Sequence, residues 1–249
     1  MSILEARGVS KRYGGLVAVN DVSLRVEPFT ITALIGPNGA GKTTFFRMLA
    51  GEIPPSSGTI AFKGRDITAL GVTATAQLGI AKSYQITQLF PKLTVAENLT
   101  IPALAARRGA FRVDIFQRAE RVNGLQALVE RTLEQIGLTE RAGDRADDLS
   151  YGEKRRLEIG LALATEPELL LLDEPAAGMS ANETADTVAL IKTLRDHVTI
   201  VIVEHDMDVI FGLADRILVL QDGKMIAEGT PAEIRADKRV QDAYLGGIE

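Results

Sequence analysis

The stretch Thr32-Ala33-Leu34-Ile35-Gly36-Pro37-Asn38-Gly39-Ala40-Gly41-Lys42-Thr43 decides the fold. An apolar run ends at Ile35, a turn of the form G-x-x-x-x-G-K-[ST] (Walker A) follows, and Thr44 to Ala50 read as a helix stopped by Gly51. Gly36, Gly39 and Gly41 let the chain turn tightly and bring successive N–H groups onto phosphate oxygens, while the helix start adds a positive dipole end. The candidate nucleotide-binding set is therefore Gly36, Pro37, Asn38, Gly39, Ala40, Gly41, Lys42, Thr43 and Thr44. Lys42 would reach the β- and γ-phosphates, and Thr43 would ligate Mg2+ through its hydroxyl. A glycine-rich turn without a ligand is the plainer alternative, and the strand before it and helix after it weigh against that.

Outward from the loop, Thr30 to Ile35, Leu169 to Asp173 and Val198 to Val203 are short apolar runs near helix-like sequence, the pattern of strands buried on both faces of a parallel sheet. Val22, Leu24 and Val26 alternate with polar residues, as do Ile60 and Phe62, and predict an antiparallel layer. Leu125, Leu128, Val129, Leu133 and Ile136 recur at helical spacing. Strand signals fade between about 86 and 166, and Arg107 to Asn123 reads as a loop leading into helix. Ile217 and Val219, the turn Asp222-Gly223 and Met225 to Glu228 predict a hairpin, with a helix opening at Pro231. The expected class is α/β: a P-loop, parallel-sheet core with an antiparallel β-subdomain and a helical subdomain.

With 249 residues, 46% hydrophobic and 24% charged, the chain has the composition of one large globular domain. It holds no run long enough for a membrane span, and its start lacks the basic and apolar regions of a secretion signal. Zero cysteines exclude a disulfide framework and a thiolate nucleophile, and two histidines alone do not build a zinc centre. Lys plus Arg at 28 against Asp plus Glu at 33 gives −5, the wrong sign for binding nucleic acid by bulk electrostatics.

Four leucines, 169 to 172, lead into Asp173-Glu174. At a strand end the chain is leaving the sheet, so both carboxylates are able to face a nucleotide. Asp173 is the candidate Mg2+ ligand and Glu174 the candidate general base for an attacking water. Ser150, three residues before Glu153, is a capping-box pattern opening a helix through Leu157 to Ala164, and such a helix points a partly positive end at an anion.

Taken in order, Tyr13, the loop 36–43, Ser83-Tyr84-Gln85, Leu149-Ser150-Tyr151-Gly152-Glu153, Asp173-Glu174 and Glu204-His205-Asp206 resemble the motifs of ATP-binding cassette (ABC) proteins over essentially the entire chain. The resemblance implies the ABC ATPase fold, with core and β-subdomain over 1–85 and 167–249 and helical subdomain over 86–166. It implies a head-to-tail ATPase dimer in which Ser150 and Gly152 contact the γ-phosphate of ATP held by the partner's loop. By the same resemblance Gln85 is the Q-loop residue sensing Mg2+ and the γ-phosphate, His205 is the switch histidine, and Tyr13 stacks on adenine. Glu174, His205, Gln85 and Lys42 would carry catalysis, and Thr43, Gln85 and Asp173 would hold Mg2+.

Three positions depart from the commonest family pattern: Tyr151 stands for glycine, Glu153 for glutamine, and Ser180 in the D-loop for aspartate. Lys154, Arg155 and Arg156 are candidates to offset the Glu153 charge. Leu149 to Ile159, Asp173 to Met179, Glu204 to Met207 and Ala243-Tyr244-Leu245-Gly246 look like the ATP-binding subunits of branched-chain amino acid importers. Urea, amide or aromatic-acid importers and lipopolysaccharide exporters are the related alternatives, with a soluble non-transport ATPase less favoured. The resemblance implies two membrane permease subunits, a sister ATPase or second copy, an extracytoplasmic binding protein, no nucleic acid, and a place on the cytoplasmic face of the inner membrane. Ile86 to Asn98, with Leu89, Phe90 and Pro91, is the candidate permease-docking segment.

Overall fold

The computed structural model describes residues 2–83, 89–108 and 124–245. In chain order they form β1 (Leu4–Tyr13), β2 (Leu16–Val26), β3 (Ile31–Ile35), α1 (Lys42–Leu49), β4 (Ser57–Phe62), β5 (Arg65–Asp66), α2 (Val72–Gln77) and β6 (Ile80–Lys82). Then come α3 (Val95–Arg108), α4 (Leu125–Gln135), α5 (Tyr151–Leu163), β7 (Leu169–Asp173), α6 (Ala181–Leu194) and β8 (Thr199–Val203). The chain closes with α7 (Met207–Leu213), β9 (Arg216–Gln221), β10 (Lys224–Gly229), α8 (Pro231–Ala236) and α9 (Lys238–Leu245). These elements divide into two compact units, Met1–Thr75 with Arg195–Glu249, and Ala76–Leu194.

In the first unit β3 lies between β8 and β9, parallel to both, and β10 pairs antiparallel with β9. Every residue of β3 and β8 is buried, which is why these strands read as unbroken apolar runs rather than alternating ones. The second sheet, β2-β1-β4-β5, is antiparallel. On β2, Val22, Leu24 and Val26 are buried while Asp21, Ser23 and Arg25 are exposed, the alternation that predicted a half-buried strand. β1 hides its period: an irregularity between Ala6 and Val9 interrupts the alternation, and Val9 and Ser10 are buried side by side. Asp222 (φ 48°) and Gly223 (φ 74°) form the two-residue turn of the β9–β10 hairpin, both in the left-handed region that a type I′ turn requires. Pro231 opens α8, capped reciprocally by Thr230 and Glu233.

In the second unit α3, α4 and α5 pack together, and β6 runs parallel to β7. Leu125, Leu128, Val129 and Leu133 form the buried face of α4. The α5 backbone comes so close to its neighbours that a Cβ on Gly160 would lie 2.7 Å from Ile136 Cδ1 and 3.0 Å from Leu99 Cδ2. Arg107 and Arg108, expected in a loop, instead end α3, while residues 109–123 of that expectation lie outside the described residues. Among the described residues no helix is long and apolar enough to cross a membrane.

Candidate functional site

The phosphate loop bridges β3 and α1, and its shape is imposed by its surroundings. A Cβ on Gly36 (φ 148°) would lie 2.1 Å from the Leu220 carbonyl oxygen, and one on Gly41 (φ 96°) 2.4 Å from that of Ala18. Glycine is thus demanded by the backbone angle and by close packing on β9 and β2. The turn is tied down further by the Gly223 N–H donating to the Ala40 carbonyl at 3.1 Å. Phe45 and Phe46 of α1 are fully buried, each stabilising by roughly 1.5–3 kcal/mol, and so fix the helix behind the loop. Lys42, itself buried, curls back and donates from Nζ to the Gly36 carbonyl at 2.7 Å and the Pro37 carbonyl at 3.0 Å. Asn38, Gly39 and Thr43 are exposed, and Pro37 and Thr44 are partly so. A second anchor comes from α9: burial pushes the Tyr244 phenol up to about 12, partly offset by a hydrogen bond from the Gly36 N–H to its oxygen.

Elsewhere in the first unit, Tyr13 ends β1, is 47% exposed as a residue, and has the Lys11 ammonium 5.4 Å from its ring centroid. One side of the ring already meets a cation, and the ring keeps surface for stacking. His205 is exposed just beyond β8, its backbone N–H donating to the Glu204 carboxylate at 3.1 Å. Asp206 caps α7 by accepting from the N–H groups of Asp208 and Val209. Gln85 lies outside the described residues.

In the second unit, Asp173 is buried at the end of β7 with Lys82 Nζ 3.6 Å from its carboxylate. A carboxylate oxygen is a donor of the kind Mg2+ takes, and the Lys82 ammonium would have to yield it. Glu174 adopts φ 49°, a left-handed conformation unusual for a residue with a side chain, so the chain does turn sharply out of the strand there. Arg155 of α5 holds this turn, rather than offsetting the charge of Glu153 as expected from the sequence. Its guanidinium donates to the Asp173 carbonyl at 2.9 Å, the Glu174 carbonyl at 2.6 Å and the Pro175 carbonyl at 3.2 Å. It also pairs with Glu158 at 2.7 Å, both side chains being buried. Lys154 too is directed elsewhere, to the Asp147 carbonyl.

The charge of Glu153 is managed chiefly by the capping box. The Ser150 N–H donates to its carboxylate at 2.8 Å, and its own N–H donates to Ser150 Oγ at 3.2 Å. The Ser150 N–H bond above all, with help from Arg141 and Arg156, holds the Glu153 carboxyl below its ordinary value against opposing desolvation. Tyr151 is 54% exposed and donates its hydroxyl to the Ala177 carbonyl at 3.0 Å. The Gly152 N–H donates to Glu183 Oε1 at 3.0 Å. Glu183 Oε2 in turn accepts from the Ser180 N–H at 3.0 Å and Ser180 Oγ at 2.7 Å, forming the reciprocal cap of α6. The serine that departs from the D-loop pattern is therefore a helix cap. The spacing Ser180-x-x-Glu183 signals it in the sequence as clearly as Ser150-x-x-Glu153 does.

Leu89 is half-buried, whereas Phe90 (48% exposed) and Pro91 stand at the surface; residues 86–88 lie outside the described residues. Asn98, fully buried, accepts from the Phe90 N–H and donates to the carbonyls of Phe90, Leu93 and Thr94.

A strand–glycine loop–helix element with an inturned lysine, beside an α/β sheet of this topology, defines a P-loop nucleotide-binding protein. The ABC transporter family matches over residues 19–177, and a branched-chain amino acid ATP-binding cassette transporter family matches over 224–249. The chain belongs to the ABC transporter family; it is an ABC ATPase and binds ATP. The high-affinity branched-chain amino acid transport ATP-binding proteins LivG of Escherichia coli and BraF of Pseudomonas aeruginosa are 42% and 41% identical to it, each over 98% of both chains. The lipopolysaccharide export system ATP-binding protein LptB of Escherichia coli is 36% identical over 99% of this chain and 98% of its own. Among solved structures, the ADP conformation of an ATP-binding cassette of an ABC transporter superposes with a TM-score of 0.86, at 29% identity over 99% of both chains.

Proposed function

We propose that this ABC ATPase energises the import of branched-chain amino acids through two membrane permease subunits fed by an extracytoplasmic binding protein, as a peripheral subunit on the cytoplasmic face of the inner membrane. The observation that carries the cargo is the 41–42% identity to LivG and BraF along 98% of the chain, with the C-terminal family match at 224–249 agreeing. The 36% identity to LptB favours lipopolysaccharide export as the second reading.

In the proposed cycle, N–H groups within residues 38–44 and the α1 dipole hold the phosphates of ATP, and Lys42 exchanges the Gly36 and Pro37 carbonyls for β- and γ-phosphate oxygens. Tyr13 stacks on adenine. Thr43 and Asp173, with Gln85, would hold Mg2+, which would neutralise charge developing on the phosphates. Ser150 and Gly152 reach the γ-phosphate of ATP bound by the partner ATPase, either a sister chain or a second copy. Glu174, aimed by its left-handed backbone, orients and deprotonates the attacking water, and His205 contacts the γ-phosphate. The exposed Phe90, on a loop held by Asn98, belongs to the permease-docking surface. Residues 1–249 act as one nucleotide-binding domain with its helical subdomain over 86–166.

The test is to purify the complex from native membranes, identify its companion subunits and measure ATP turnover in liposomes. Leucine, isoleucine or valine with the binding protein should stimulate turnover, and stimulation by none of them overturns the cargo. Glu174→Gln should keep ATP binding and lose nearly all hydrolysis; an unchanged rate refutes the assigned base.

A further inference from the structure

The N-terminus of α5 is the anion seat on which the proposed cycle depends, and three of its N–H donors are already engaged within the protomer. The Ser150 N–H is taken by Glu153, the Glu153 N–H by Ser150, and the Gly152 N–H by Glu183 Oε1 at 3.0 Å. The Glu183 contact is closely built, for a Cβ on Gly152 would lie 2.9 Å from both Glu183 Cγ and Oε1. The hydrogen bond from Ser180 Oγ, above all, holds this carboxyl below its ordinary value, with the Ser180 and Gly152 N–H groups adding to it, so it is an anion at neutral pH.

We propose that Glu183 is an internal stand-in for the γ-phosphate, occupying the Gly152 N–H in the single protomer and yielding it when the partner's ATP arrives. The inference rests on the reading of Gly152 as a γ-phosphate contact in trans. An N–H serves one strong acceptor well, and two anions on the same donor would repel at short range, so phosphate and carboxylate exclude one another there. Ser180 supplies the pivot: its N–H and Oγ keep Oε2 while Oε1 lets go, so the carboxylate stays solvated and capped after release. The Tyr151 hydroxyl on the Ala177 carbonyl is a second tie between the α5 start and the D-loop, and it holds the two together during the exchange. Glu183 thereby sets a threshold, in ATP concentration, for closing the ATPase dimer.

The experiment uses the full-length chain carrying Glu174→Gln, with association followed by sedimentation as Mg-ATP is raised. Glu183→Gln keeps the size of the side chain and, with the amide oxygen accepting from Ser180, leaves an NH2 donor facing the Gly152 N–H, so the charged acceptor there is removed. The ATP concentration for half-maximal association should fall about fivefold to tenfold. Without nucleotide, the melting temperature should stay level or drop, opposite in sense to the tighter association and so unlike a general change in stability. In Glu183→Ala, exchange of the Gly152 amide in the nucleotide-free chain should accelerate about tenfold or more. An ATP-dependent dimer that forms equally well with and without Glu183→Gln, or less readily with it, overturns the stand-in and leaves the proposed function intact. A Gly152 amide exchanging at the parent rate in Glu183→Ala also overturns it. If the Glu174→Gln chain shows no ATP-dependent association, either with itself or with its sister ATPase, the trans contact falls and the stand-in with it.

Discussion

Replacing Arg155 by lysine tests whether the left-handed turn at Glu174 is held from α5. Lysine keeps the charge and can still meet Glu158, but a single ammonium cannot fork to the carbonyls of Asp173, Glu174 and Pro175 as the guanidinium does at 2.9, 2.6 and 3.2 Å. Two charge-assisted bonds to buried carbonyls would be lost, at about 1.5 kcal/mol each, giving about 3 kcal/mol. For a chain of this size that is a fall of roughly 6–12 °C in melting temperature, readable by circular dichroism or calorimetry. The catalytic effect should be separable. ATP binding, which depends on the phosphate loop in the other unit, should change less than about twofold, whereas kcat should drop at least tenfold because the Glu174 carboxylate loses its fixed origin. Arg155→Ala should be worse than lysine on both counts, since it also strands the Glu158 carboxylate. If Arg155→Lys melts within a degree of the parent and hydrolyses ATP at the parent rate, the guanidinium does not hold the turn.

Three further outcomes are expected. Tyr244→Phe removes the acceptor of the Gly36 N–H and should weaken ATP binding about threefold to fivefold in calorimetric titration, with a loss no greater than one hydrogen bond. Glu153→Gln should lower the melting temperature at pH 7, and the gap to the parent should close as the buffer is taken below about pH 4.5. The folded-state carboxyl lies below the ordinary 4.5, so its stabilisation is complete above that pH and is lost as pH falls through the depressed value. Tyr13→Ala should weaken ATP and GTP to a similar degree in fluorescence titration, because stacking needs only a base face; unaltered affinity would mark Tyr13 as a packing residue.

The phosphate loop, the leucine strand ending in Asp173-Glu174 and the Asp222-Gly223 hairpin were legible because each requires particular residue types at fixed spacing. β6 was not: three residues are too few to show a period, and only its pairing with β7 defines it. Nor was β1, whose irregularities break the alternation that would have announced it. Arg155 looked like its neighbour Arg156, since a sequence does not tell which of two adjacent guanidinia turns inward. Ser180-x-x-Glu183 was readable as a cap, yet comparison with the commoner aspartate drew attention to what was missing rather than to what the serine does.

The mould around Gly36 and Gly41 has a thermodynamic corollary. Carbonyls of Leu220 and Ala18 already occupy the space that would let the loop relax into other shapes, so a nucleotide meets a finished cradle. Little chain disorder remains to be surrendered when ATP docks, and a calorimeter should record a small heat-capacity change for that step. Alanine at either glycine would then harm the apoprotein before it harmed ligand affinity, making Gly36→Ala a probe of core geometry first and of nucleotide recognition only second.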